Sequence, residues 1–148
     1  MEPKKPFKAR VLLVDDEKDF IQTLTKRLEV RGLTVSSATR GEDALNLTRQ
    51  KNFDIVVLDL SMPGMDGLET LKKIKAKDPD VEIVMLSGHG TVKSSTEAIK
   101  LGAEDFLEKP VDIQELLDKI CEAKDKRILV LQKRAQEQIE DILQNKAW

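Results

Sequence analysis

Three short apolar runs, each closing on a polar residue, limit what this chain can fold into more than any other feature. Val11-Leu12-Leu13-Val14 runs into Asp15 and Asp16, Ile55-Val56-Val57-Leu58 into Asp59, and Ile83-Val84-Met85-Leu86 into Ser87. A shorter run, Phe106-Leu107, comes just before Lys109-Pro110. Continuous runs rich in Val and Ile predict strands buried on both faces, the habit of a parallel sheet. Ligands of such sheets bind outside the carboxyl ends of the strands. Three acids, a hydroxyl and a lysine are therefore expected to converge on one edge.

Helical patterns fill the gaps between the runs. Phe20, Ile21, Leu24 and Leu28 fall at helical spacing, with Gly32 as a stop signal. Leu33-Thr34-Val35 predicts a weaker strand at the sheet edge. Gly41 to about Lys51 predicts a second helix, and Leu68, Leu71 and Ile74 mark a third, ended before Pro79. Thr91 to Leu101 predicts a polar fourth helix closed by Gly102. Strand and helix alternate, which implies an α/β fold with a doubly wound parallel sheet. The last helix opens at Asp112 with a D-x-x-E start signal, and no Gly or Pro interrupts the chain from there to Trp148.

The 148 residues amount to one domain, with 40% apolar and 35% charged residues marking an ordered chain. A net charge of −2 without a basic block gives no sign of direct nucleic-acid binding. No stretch approaches the roughly 20 apolar residues of a membrane span. The N-terminus lacks an apolar signal core, and the lone Cys121 suits a reducing compartment, so a cytoplasmic protein is expected. The expected organisation is a flexible arm over residues 1–8, a folded unit over 9–123 and a helical extension over 124–148.

Each strand-end motif has an ordinary reading taken singly. An Asp after a strand caps helices or forms turns, Ser-Gly and Lys-Pro are turn and loop pairs, and Asp15-Asp16 suits a solvated helix start. None of these readings explains why all the motifs follow strands of one sheet. Two carboxylates about 4 Å apart repel by about 1 kcal/mol in water and about 4 kcal/mol at an effective dielectric near 20. Three clustered acids need a counterion, and a hard divalent cation such as Mg²⁺ suits them. With Lys109 alongside, the set can hold a phosphoryl group, whose oxygens need neutralising during transfer, and Asp59 can serve as nucleophile.

The segments VLLVDDE, IVVLDLSMPGMDGLE, MLSGHG and AEDFLEKP resemble the receiver domain of bacterial response regulators over about residues 9–122. The resemblance implies a five-stranded, flavodoxin-like sheet ordered 2-1-3-4-5. It implies that Asp59 accepts a phosphoryl group from a sensor histidine kinase, or from a small donor such as acetyl phosphate. Asp16, Asp59 and the main-chain carbonyl of Ser61 would ligate Mg²⁺, with Asp15 acting largely through a water. Lys109 and Ser87 would hold the phosphoryl oxygens, Lys109-Pro110 would be cis, and Ser87 with Phe106 would form the switch that reshapes the helix 4–strand 5–helix 5 face. Ser61 and His89 occupy positions that tune dephosphorylation in this family. His89, the only histidine, reads as a loop residue beside the site rather than a phosphoryl relay.

Beyond about Lys124 the helix exceeds what one domain needs. Leu117, Cys121, Lys124, Ile128, Leu131 and Ala135 step by four and three like a short heptad seam, which slips before Ile139 and Ile142. Helix pairing is expected, as a homodimer or with a kinase or effector. The other readings are a tail folded back on its own domain and a connector to a further segment. SGHG and FLEKP resemble receivers that precede transcription-activating ATPases, so the leading expectation, a single-domain switch with output through protein contacts, stands beside a fragment of a larger regulator. An aspartyl-nucleophile phosphatase would call for D-x-D after the first strand, whereas this chain has DDE. A scaffolding pseudo-receiver would commonly lack one of the acids.

Overall fold

The computed structural model describes residues 8–62, 64–88 and 92–145. Expectations resting on the arm up to Phe7, on Pro63, on His89 to Thr91 and on the last three residues lie outside the described residues. Strands β1 (Arg10–Val14), β2 (Thr34–Ala38), β3 (Ile55–Asp59), β4 (Glu82–Ser87) and β5 (Asp105–Glu108) alternate with helices α1 (Lys18–Val30), α2 (Gly41–Gln50), α3 (Gly67–Lys77), α4 (Val92–Lys100) and α5 (Ile113–Asn145). All strand pairs are parallel, and the order is β2-β1-β3-β4-β5, as the resemblance implied.

The apolar runs are buried for the reason their composition suggests. Residues of β3 and β4 are buried throughout, and alternate side chains feed two cores. Leu12, Val56, Ile83 and Met85 pack with Ala44 of α2, Leu71 and Ile74 of α3, and Ala98 of α4. On the opposite face Val11, Leu13, Val57 and Val84 pack with Leu24 and Leu28 of α1 and with Leu116, Ile120 and Ala123 of α5. The sheet is thus covered on both sides, as strands without polar alternation require.

Local signals mark the helix ends. Gly32, at φ +89°, supplies the left-handed turn that stops α1, and its N–H donates to the Glu29 carbonyl at 2.9 Å. The Asp66 carboxylate caps α3 by accepting from the Glu69 N–H, and the Asp112 carboxylate accepts from Gln114 and Glu115 at the start of α5. Strand β2 differs from expectation, running to Ala38 rather than stopping at Val35. Its Ser36 and Ser37 hide the pattern, because an edge strand keeps polar side chains near solvent.

Helix α5 carries the expected seam only partly covered. It runs unbroken for 33 residues, and its buried face is Leu116, Leu117, Ile120, Ala123 and Arg127, while Ile128 and Leu131 are exposed. Charged residues of the tail also reach the body of the domain. Lys124 pairs with Asp54 (3.1 Å), Lys126 with Glu104 (2.6 Å), Arg127 with Asp78 (3.3 Å) and Arg134 with Asp80.

Candidate functional site

The register fixes which chain ends meet. Val14 pairs with Leu58, so Asp15 and Asp59 follow side by side at the carboxyl edge of the sheet. Ser87 pairs with Glu108, and the Lys109 N–H donates to the Ser87 carbonyl at 2.9 Å. Asp15, Asp59 and Ser87 are all buried, while Asp16 and Ser61 lie in exposed loops at the rim. The Lys109-Pro110 bond is cis, as the resemblance implied, and Lys109 follows directly on β5.

Lys109 is the hub. Its Nζ lies 2.6 Å from Asp15 Oδ2, 3.5 Å from Glu17 Oε1 and 3.9 Å from Asp59 Oδ1. The same ammonium sits 4.5 Å from the centroid of the Phe20 ring, a cation–π contact that adds to the carboxylates in holding it. Asp59 Oδ1 also accepts from the Ser61 N–H at 3.4 Å, and Asp15 Oδ1 from the Glu17 N–H at 2.9 Å. Phe106 is half-buried against the core on the α3–α4 side of the sheet.

Burial is the largest influence on the Asp59 carboxyl, and repulsion from Asp15 adds to it. Together they outweigh Lys109 and the Ser61 N–H and push it up to about 6. Burial raises Asp15 as well, against the pull of Lys109. For Lys109, burial acts downward, but the surrounding carboxylates prevail and hold it above its ordinary value. One ammonium is thus shared among more negative charge than it can neutralise.

The residues fit a divalent cation. Oxygen atoms of Asp15, Asp16 and Glu17 come within 4.8 Å of one another. The buried Asp15 Oδ2 lies 2.6 Å from the Lys109 ammonium, and a carboxylate oxygen so engaged keeps a further lone pair for a cation. All these donors are hard oxygens, the preference of Mg²⁺.

The structure brings Asp15, Asp16, Asp59, Ser61, Ser87 and Lys109 to one sheet edge. Sequence reasoning passed over Glu17 and Phe20. Glu17 stands in the DDE run, but nothing in its spacing set it apart from an ordinary loop carboxylate. Phe20 carried no signal beyond helical periodicity, which any core residue shares.

The family model described as response regulator receiver domain matches residues 11–121. The C4-dicarboxylate transport transcriptional regulatory protein DctD of Rhizobium meliloti is 38% identical over 125 residues, 84% of this chain and 27% of that protein. The chain therefore spans little more than a quarter of the length of this relative. A response regulator receiver domain protein from Clostridium thermocellum superposes with a TM-score of 0.79 at 31% identity, covering 82% of this chain and 98% of that one. NtrX from Brucella abortus has a TM-score of 0.79 at 32% identity, covering 90% of this chain and 30% of that one.

Proposed function

Since the chain belongs to the response regulator receiver family, we propose that Asp59 is its phosphoacceptor and the protein a switch set by a sensor histidine kinase. The observation that carries this reading is the placement of Asp59, buried at the sheet edge beside Asp15 and 3.9 Å from the Lys109 ammonium. An Asp59 carboxylate oxygen attacks phosphorus, the bond from phosphorus to the kinase imidazole nitrogen breaks, and an acyl phosphate forms. Asp15, Asp16, Asp59 and the Ser61 carbonyl would hold Mg²⁺, which when bound supplies positive charge for the phosphoryl oxygens. Lys109 neutralises a further phosphoryl oxygen once Asp15 relaxes its hold. The Ser87 hydroxyl, at the end of β4, binds another.

The switch follows from the same groups. Drawing Ser87 toward a phosphoryl group vacates space that Phe106, on the neighbouring strand, turns to fill. Helix α4 is loosely attached, with Ala98 its only buried residue among those described, so it can respond to that repacking. The coupling is a shift between two packings. No described helix is long and apolar enough to cross a membrane, and we place the switch in the cytoplasm.

Output runs through protein contacts with a downstream effector, with residues 124–148 as an extension that pairs with a second copy. Leu129, Ile139, Ile142 and Leu143 lie exposed along it. The second reading, a receiver portion of a larger transcriptional regulator, is favoured by relatives that are much longer than this chain.

Incubation with Mg²⁺ and acetyl phosphate, followed by intact-mass measurement, tests the site. One added phosphoryl group is expected, absent without Mg²⁺ and absent in Asp59→Asn. Labelling that persists unchanged in Asp59→Asn refutes the assignment.

A further inference from the structure

At the opposite edge of the sheet from Asp59, a cleft of about 510 Å³ opens between the start of β1, the loop before β3 and the outer turns of α5. Its volume falls within the usual range of small-molecule sites. Lys8, Arg10, Lys124 and Arg127 line it, with Asp54 the one carboxylate among the lining residues. Asp54 is already engaged, accepting from the Arg10 main-chain N–H at 2.8 Å and from Lys124 Nζ at 3.1 Å. This local excess of cations stands out in a chain of net charge −2.

A second observation is independent of the charge count. Arg127 is only 8% exposed, and its Nη1 is buried with no hydrogen-bond partner among the described residues. The other arm of the guanidinium, Nη2, reaches Asp78 at 3.3 Å. A buried guanidinium with an unmatched N–H is costly, and the cost falls when an acceptor arrives. Lys124 and Arg127 are three residues apart on one helix and so share a face. Arg10 opens β1, and Lys8 stands two residues before it.

We propose that this cleft is a binding site for a small oxyanion carrying at least two negatively charged groups, of the diphosphate or polycarboxylate class. The anion bridges Lys124 and Arg127, which line the cleft from α5, to the basic residues at the start of β1. Binding ties the extension of α5 to the sheet. It uses none of the groups assigned to phosphorylation.

Calorimetric titration of the full chain in Mg²⁺-free buffer, with pyrophosphate in one arm and citrate in the other, tests this. Leu131 lines the cleft and is exposed, so Leu131→Glu places a carboxylate at the rim without removing any ion pair. Leu129→Glu makes the same chemical change at an exposed position of the same helix outside the cleft lining. Saturable one-to-one binding of either anion is expected, weakened at least about tenfold by Leu131→Glu and less than about twofold by Leu129→Glu. The absence of saturable binding of both anions below about 10 mM, or equal weakening by the two substitutions, overturns the proposal.

Discussion

Asp59 carries its negative charge against the grain of its surroundings. Burial and the neighbouring Asp15 push its carboxyl up to about 6 from an ordinary 3.8. A carboxyl that holds its proton more tightly when folded opposes folding once ionised. The opposition is complete above about 6, shrinks as the pH falls through that value, and is gone below the unfolded value. In metal-free protein, Asp59→Asn is therefore expected to be more stable than the parent by about 1–3 kcal/mol at pH 7. That difference closes as the pH approaches 4, and urea denaturation of both proteins at stepped pH measures it. A gap that does not change with pH removes Asp59 as its source. The acids and Lys109 were legible in the sequence because each stands just beyond an apolar run whose burial is forced. Glu17 and Phe20 were not, since a loop carboxylate and a helix-face aromatic have the same local pattern whether or not a lysine lies above them.

Helix α3 connects this chemistry to packing. Its first residue, Gly67, lies so close to the end of β3 that an added Cβ would collide with the Asp59 carbonyl oxygen and the Leu60 backbone. No flexible side chain is there to yield. Gly67→Ala is expected to cost about 1–3 kcal/mol and to slow phosphorylation by displacing Asp59, with denaturation midpoints and acetyl phosphate labelling read on the same sample. Asp66→Ala, which removes only the cap on Glu69, is expected to cost about 1 kcal/mol and leave labelling intact. The helices themselves were legible from apolar spacing, with Leu71 and Ile74 of α3 buried as that spacing requires. The length of β2 was not, because its two serines obey the demands of an edge rather than of a core.

Across the molecule, the two ends of the sheet are organised differently. The carboxyl edge gathers acids around one lysine, while the amino edge is spanned by the basic residues of α5, paired to Asp54, Asp78, Asp80 and Glu104. The parallel sheet follows from strand composition and chain alternation, and its order from the family resemblance, so the architecture was readable in advance. The path of the tail was not, since charge pairs between residues 49 apart, such as Arg127 with Asp78, leave no periodic trace. A chain ending at Lys124 is expected to stay folded and accept phosphate on Asp59. If the exposed apolar residues of the extension pair with a second copy, the intact chain scatters light as a dimer and the shortened one as a monomer. Equal masses for the two dispose of the pairing.

The unbroken course of α5 has a mechanical consequence. Its 33 residues make a rod about 50 Å long, anchored at one end by Leu116 and Ile120 against the sheet. A tilt of about 5° at that anchorage carries the far end sideways by about 3 Å, given the usual rise per residue. The helix is then a lever, and the Arg134–Asp80 pair a latch partway along it. A partner gripping the tip would sense the angle of the rod, and so could follow events at the sheet without ever touching the surface beside Asp59.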